Sequence, residues 1–373
     1  MIPFNKPAFL GTELEAIRTA LVQNGHAAGG GPFGKRCEAL LEGLLGQRTL
    51  LVTSATHALE LGAHLLDLQA GDEVIVPSFT FVSTANAFAL RGAKIRFADV
   101  DESGNLSLAE VERLRTPRTR CISVVHYAGN SCDLDALLSL AGDIPVLEDA
   151  AQAIDASYKG RPLGTLGACG AFSFHETKNI GCGEGGALTL RDTKLIERAE
   201  YYRDKGTNRR KFLGGLVDKY TWVDLGSSLV LSDVNAAYLS CQLEQLQAVQ
   251  ARRGHIWSRY AEALAAPLAR VGARFIQPPA HNRPNHHLFG VVFARAEQRT
   301  AFIAFMRERG VVTPFHYVSL HLSPFGQRFH DGRALPMTET LSGNLVRLPL
   351  FYNQTDAQVD EVIGRTTEFL RAL

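Results

Sequence analysis

Through residues 49–149 the chain alternates short unbroken apolar runs with longer stretches whose apolar side chains recur every three or four positions. The first pattern predicts buried strands over 49–53, 74–77, 94–97, 121–126 and 145–147. The second predicts helices over 57–66, 79–90, 106–114 and 134–141. Strands that alternate with helices at this spacing predict an α/β fold, a mainly parallel central sheet wrapped by helices. Ligands of such sheets gather at the carboxyl ends of the strands. Ahead of this region, 13–22 has helical spacing, Gly29-Gly30-Gly31-Pro32 breaks it, and a second helix is predicted over 35–45.

Beyond residue 195 the pattern changes. A helical stretch over 196–202 leads into a polar loop, Lys205-Gly206-Thr207-Asn208-Arg209-Arg210, too irregular to be a plain connection. A long helix over 233–253 then bridges to a smaller C-terminal α/β unit. That unit is predicted to hold a strand over 287–293, a helix over 300–309, a strand over 311–313 and a closing helix over 356–370. The expected division is therefore a large domain with an N-terminal arm, 1–245, and a small domain, 246–373.

Charge and composition narrow the partners. Among 373 residues, 39 Lys and Arg nearly cancel 38 Asp and Glu, for a formal charge of +1. That leaves no basic excess for nucleic acid or an anionic membrane surface, so any anion has to be met locally. The apolar runs fall short of the ~20 residues that cross a bilayer. Met1-Ile2-Pro3-Phe4-Asn5-Lys6-Pro7 has no basic stretch followed by an apolar one, and the expected location is the cytoplasm. Cysteines 37, 121, 132, 169, 182 and 241 include no Cys-x-x-Cys pair, which predicts reduced structural thiols and no metal site.

The candidate chemistry falls on successive strand ends. Ser54-Ala55-Thr56 follows the first strand, where free N–H groups and hydroxyls either cap a helix or receive a phosphate. Phe81 follows the second strand, as core or as a platform for a flat ring. Glu148 and Asp149 follow a later strand. An acid among alanines there either caps a helix or pairs with a permanent cation such as a pyridinium nitrogen. After one more strand comes Lys178, within Ala171 to Gly186, followed by glycines at 181, 183, 185 and 186. Glycines let a backbone approach a bulky ligand, and apolar neighbours favour a neutral amine able to attack a carbonyl, as a lysine that holds pyridoxal phosphate (PLP) does. Taken alone, the stretch also suits a surface lysine in a glycine turn.

With these residues in order, the sequence resembles the sugar aminotransferases of the DegT/DnrJ/EryC1/StrS family, PLP enzymes of fold type I, from Pro3 to about Asn353. The motifs are Pro77-Ser78-Phe79-Thr80-Phe81, Glu148-Asp149-Ala150-Ala151-Gln152, Phe172-Ser173-Phe174-His175-Glu176-Thr177-Lys178-Asn179 and Gly183-Glu184-Gly185-Gly186. The resemblance implies that Lys178 bonds covalently to PLP, Asp149 pairs with the pyridine nitrogen, Gln152 faces the ring hydroxyl and Phe81 stacks on the ring. Ala55, Thr56 and Ser173 would meet the phosphate. Many relatives have Gly-Thr where Ala55-Thr56 stands. Many also have Gly-x-Asn-x-Arg where this chain has Gly226-Ser227-Ser228-Leu229-Val230, so that Ser228 takes the place of an Asn that reaches the partner subunit's cofactor phosphate. A homodimer with composite active sites is implied.

Three further stretches, Lys205-Gly206-Thr207-Asn208-Arg209, Asp218-Lys219-Tyr220-Thr221-Trp222 and Arg347-Leu348-Pro349-Leu350-Phe351-Tyr352-Asn353, narrow the resemblance. They point to family members that aminate C4 of TDP-4-oxo-6-deoxy-D-glucose with glutamate as donor. Arg209 and Lys219 become candidates for the diphosphate, and His316 and Tyr317 for the sugar. Three other readings lose ground. A sugar 3-dehydratase of the family would carry His in place of Lys178. A nucleotide-binding dehydrogenase would show Gly-x-Gly-x-x-Gly after its first strand. A PLP-sensing regulator would add a DNA-binding domain or basic patch.

Overall fold

The computed structural model describes residues 1–373. Its central sheet has seven strands: β1 (Arg48–Val52), β2 (Glu73–Pro77), β3 (Lys94–Ala98), β4 (Thr119–Val125), β5 (Val146–Asp149), β6 (Cys169–Ser173) and β7 (Gly186–Leu190). Their spatial order is β1-β7-β6-β5-β4-β2-β3, and β7 alone runs antiparallel to its neighbours. The expected α/β architecture of fold type I is present. Alternation along each strand divides the core. Leu51, Ile75, Ile122 and Val146 enter one face, with the helices Pro32–Leu45, Leu134–Ala141 and Asp233–Glu244. Leu50, Val52, Val74, Val76 and Leu147 enter the other, with Ala55–Leu65 and Val82–Ala89.

The same alternation separates the two acids at the end of β5. Glu148 follows Val146 to the first face and is wholly buried. It accepts from His126 Nε2 (2.7 Å) and from the N–H groups of Gly164 (2.8 Å), Leu166 (2.7 Å) and Gly167 (2.6 Å). Burial alone pushes its carboxyl pKa up, but His126 and the amide donors outweigh burial and hold it below the ordinary value. Glu148 thereby fixes the loop that delivers the chain into β6. Asp149 turns to the second face, toward the helix Val82–Ala89.

A second sheet, β8 (Arg274–Phe275), β9 (Phe289–Val292) and β10 (Leu345–Leu348), is antiparallel throughout. Phe289, Phe293, Phe302, Tyr260 and Phe369 form a separate core between it and the helices Leu246–Arg270, Ala296–Glu308 and Asp356–Arg371. Leu246 and Val249 still belong to the large core, whereas Ile256, Tyr260 and Leu264 belong to the small one. A joining cluster of Phe79, Tyr127, Ile276, Leu288 and Leu345 lies between them.

Several predicted bounds shift. The helix expected over 233–253 is two helices, because Gln245 leaves helical geometry at φ −106° and ψ 14°. The helix expected over 79–90 starts at Val82, since Phe79 and Thr80 continue away from β2 and Phe81 stands extended at the N-cap. The opening α-helix ends at Arg18 and widens into a π-turn over Thr19–Gln23. The helix predicted over 300–309 begins at Ala296. The strand predicted over 311–313 reduces to one parallel bridge between Val311 and Ile2, as Pro314 cannot extend a ladder. All six cysteines are buried and unpaired, and no helix is long and apolar enough to cross a membrane.

Glu148→Gln turns an acceptor of four hydrogen bonds into an amide that presents donors to donors, and should cost about 3 kcal/mol of stability. Because the folded state lowers the Glu148 pKa, its contribution is complete above the unfolded value and is lost as pH falls through the folded one. Denaturant midpoints of the two proteins should therefore differ at pH 7 and converge in acid. Equal midpoints at pH 7 would refute the role given to Glu148.

Candidate active site

One cavity of about 670 Å³ opens at the carboxyl ends of the strands. At one end lies the turn after β1. Ser54 is the N-cap of the helix Ala55–Leu65, and its Oγ accepts from the His57 N–H at 3.1 Å. The N–H groups of Ala55 and Thr56 then have no backbone acceptor, which leaves two donors at a helix N-terminus for an anion. Thr56 Oγ1 lies 2.8 Å from Ser83 Oγ, and Ser173 closes this end from the tip of β6. The turn approaches β7 so closely that a Cβ on Gly186 would lie 2.3 Å from the Ser54 carbonyl carbon. The glycines after Lys178 thus make room for the chain itself more than for a ligand: a Cβ on Gly181 would stand 2.8 Å from the His175 carbonyl oxygen.

Asp149 faces the middle of the cavity. No helix follows it, which removes the capping alternative; Ala150 to Asp155 form turns. Asp149 Oδ2 accepts from Thr84 Oγ1 at 2.6 Å and Oδ1 from the Ala151 N–H at 3.1 Å. Since the Thr84 proton goes to Asp149, Thr80 donates to Thr84 at 2.8 Å, and the carboxylate is held from behind. Phe81 is 57% exposed and lines the cavity, while Phe79 is the core residue of that motif. Gln152 accepts from the Ala128 N–H at 2.7 Å and donates to Tyr317 Oη at 2.9 Å.

Lys178 leaves the turn after β6 and lines the same cavity. Burial is the main cause that lowers its pKa to about 8; the charge of Arg347 adds to this and that of Asp149 opposes it. A useful fraction of the amine is therefore neutral near pH 8. The next residue, Asn179, is committed on every side. Its Nδ2 donates to Gln250 Oε1 (2.9 Å) and the Asn285 carbonyl (2.8 Å), so its Oδ1 must accept from His287 Nδ1 (2.8 Å). His287 is thus the Nδ1–H tautomer, and burial keeps its pKa well below the ordinary value, as it does for His316.

Residues on and around the second sheet supply the far wall: His316, Tyr317, His287, Leu288, Arg347 and Leu350. His316 stacks on Tyr317 with centroids 3.7 Å apart, and its Nδ1 lies 3.2 Å from Tyr127 Oη. Arg253, buried, donates to the carbonyls of His286, His287 and Leu350 and so holds that wall.

The cavity thus gathers Ala55, Thr56, Phe81, Asp149, Gln152, Ser173, Lys178, His316 and Tyr317. Three predicted residues stand elsewhere. Arg209 is exposed beside Asp204 (3.6 Å), Lys219 is exposed in the segment 214–224, and Ser228 is exposed on a bridge to Asp204. Sequence reading missed Thr84, Asn179, His287 and Arg347 as site residues. Asn179 and Arg347 lay inside the motifs already singled out, and Thr84 stands one helical turn past Phe81.

The residues present fit PLP: two unpaired amides and hydroxyls for a phosphate, a carboxylate for the pyridine nitrogen, an exposed aromatic ring, and an amine of lowered pKa for the aldehyde. Comparison with known proteins agrees. Residues 10–367 match the DegT/DnrJ/EryC1/StrS aminotransferase family. The aminotransferase TlmJ from Streptoalloteichus hindustanus superposes with a TM-score of 0.91 at 33% identity over 100% of this chain and 99% of that one. DesV of S. venezuelae, solved with a ketimine intermediate, gives 0.91 at 30% identity over 100% and 99%. PseC of Helicobacter pylori, an aminotransferase of pseudoaminic acid biosynthesis, shares the fold at 22% identity over 100% of both chains, with a TM-score of 0.92. The chain belongs to the DegT/DnrJ/EryC1/StrS aminotransferase family and is a PLP-dependent aminotransferase of fold type I.

Proposed function

We propose that this enzyme moves the amino group of glutamate to C4 of TDP-4-oxo-6-deoxy-D-glucose, giving TDP-4-amino-4,6-dideoxy-D-galactose. The observation that carries the amino-transfer part is Lys178 and Asp149 facing one cavity, with the free Ala55 and Thr56 amides at its end. The substrate part rests on the likeness of three stretches, at 205–209, 218–222 and 347–353, to the TDP-4-oxo-6-deoxy-D-glucose transaminase of enterobacterial common antigen synthesis. Amination of another nucleotide-linked keto sugar, at C3, or to the gluco epimer is the alternative.

PLP, when bound, supplies an aldehyde that takes up the amino group and a ring that accepts the electron pair left when a Cα–H bond breaks. Lys178 would hold it and, once its amine is free in each half-reaction, carry the proton between substrate and cofactor carbon from Nζ. Asp149, unable to leave its Thr84 and Ala151 donors, would keep the ring nitrogen protonated. Ala55, Thr56 and Ser173 would bind the phosphate. Gln152, held by the Ala128 N–H and Tyr317 Oη, would face the ring hydroxyl.

A homodimer with composite sites is part of this reading. Leu216, Tyr220 and Trp222 are exposed by 76%, 56% and 77% on one segment, an apolar display that a second copy would cover. Lys219, Arg209 and Ser228 belong to the same exposed region and would serve the partner's cavity, Ser228 at its phosphate and the two cations at the sugar diphosphate.

Lys178→Ala should bring turnover to background with the fold kept. In the wild-type apo-protein the rate of PLP uptake should rise with pH through about 8, as the amine loses its proton. A flat profile from pH 6 to 10 would contradict the neutral-amine role.

Sedimentation at assay concentration should show a dimer. An active monomer would remove the composite site.

Incubation with glutamate and TDP-4-oxo-6-deoxy-D-glucose should yield 2-oxoglutarate and a sugar with an axial C4 amine in its NMR spectrum. An equatorial amine would reject the stereochemistry alone; failure to aminate the cofactor from glutamate would reject the whole reading.

A further inference from the structure

Outside the cavity, Ser78, His321 and Glu339 stand in the order of a hydrolase triad. Ser78 Oγ lies 2.7 Å from His321 Nδ1, and His321 Nε2 lies 3.4 Å from Glu339 Oε1. Triad chemistry is excluded, because Ser78 and His321 are wholly buried, neither lines the cavity, and Ser78 Oγ already accepts from the His321 backbone N–H at 3.0 Å. That bond also decides where the protons lie. A proton on Nδ1 would give Ser78 Oγ two donors and leave its own hydrogen without an acceptor. Ser78 therefore donates to Nδ1, and His321 keeps its proton on Nε2, toward Glu339.

What this knot holds is a span of chain. Ser78 continues the exit from β2, where its N–H donates to the Ala98 carbonyl at 3.0 Å. Its carbonyl accepts from the Leu320 N–H at 3.0 Å, so three hydrogen bonds tie residues 320 and 321 to it. Leu320 accordingly packs in the core of the large sheet, with Leu335 and Phe88. Just before His316 the chain is tied to the second sheet instead: Phe315 bridges Val346, and the Arg347 N–H donates to the Pro314 carbonyl at 3.0 Å. His316 and Tyr317 lie between the two anchors, in neither helix nor strand. Tyr317 Oη accepts from Gln152, and its ring centroid stands 6.4 Å from that of Phe81. Phe81 leaves from the same serine, three residues on. Ser78 thus fixes both sides of this opening, Phe81 through the main chain and Tyr317 through His321.

We propose that His321 is a positioning residue: through Ser78 it holds the span that carries His316 and Tyr317 at a set distance from Phe81 and Gln152, and so sets the width of the slot that receives the sugar ring. The sugar part rests on the reading that the cavity serves a keto sugar. Loss of the knot frees the span but not Phe81, whose strand exit keeps its bond to Ala98.

The two half-reactions, followed separately in single turnovers, test it together with the circular dichroism of bound PLP. His321→Leu and Ser78→Ala should each raise the half-saturating sugar nucleotide concentration about 10-fold, the worth of one buried hydrogen bond, and that of glutamate by a smaller factor. The double variant should lose no more than His321→Leu alone, since both changes break the same bond. His321→Asn, whose Oδ1 can accept from Ser78, should recover most of the loss and guards against a folding defect. The dichroic band of PLP should change in His321→Leu, because Tyr317 holds Gln152, and return in His321→Asn. Equal losses in both half-reactions, additive losses in the double variant, or a dichroic band that His321→Leu leaves unchanged would overturn the proposal. If the wild type does not aminate the keto sugar, the proposed function falls, and the dichroic band still decides whether His321 positions Tyr317.

Discussion

The site depends on a carboxylate that never meets the substrate. Glu148 is sealed from water and has to be ionised to satisfy four donors, so its position on β5 admits no slack. A strand whose side chains alternate cannot place one residue without placing the next. Anchoring Glu148 on one face of the sheet therefore directs Asp149 into the cavity on the other. The loop that Glu148 holds leads directly into β6, whose end carries Ser173 and then Lys178. One buried acid thus sets the relation between the carboxylate and the amine.

The cavity itself is assembled against electrostatic preference. Arg253 is buried and Lys178 and Arg347 are half-buried, and none has an acid at ion-pair distance; desolvation lowers the pKa of each. The cost is met differently in each case. Arg253 is compensated by carbonyls. Lys178 is relieved by giving up its proton near pH 8, and the charge of Asp149 limits how far that goes. His287 and His316 stay neutral and add no further positive charge. The cavity is prepared for ligands that bring negative charge, although the net charge of the whole chain is only +1.

Much of this was legible because strand ends are sequential. Thr56, Phe81, Asp149, Ser173 and Lys178 each follow a short apolar run, and a parallel sheet brings such ends together without any knowledge of side-chain packing. Helix starts were less legible. Phe79 and Phe81 are alike as letters, and only the extended exit from β2 decides that one is core and the other faces the cavity. Pairs that span the chain were not legible at all. The wall made by Arg253, His287 and Arg347 depends on how the small domain meets the large one, and no local pattern encodes that. The polar stretch at 205–210 was read as more than a connection, and its residues lie outside the cavity of their own chain.

Asn179 carries a mechanical consequence. Its amide is bound on three sides by Gln250, Asn285 and His287, so the residue directly after Lys178 is anchored. The amine then travels on its own side chain only, like a lever on a fixed pivot, and its radius is the length of four methylene groups. With the backbone anchored, a shorter arm would fall short of the carbon it would serve in the proposed reaction, and a longer one would overshoot it. The demand for lysine at this position is therefore one of stem length as much as of basicity.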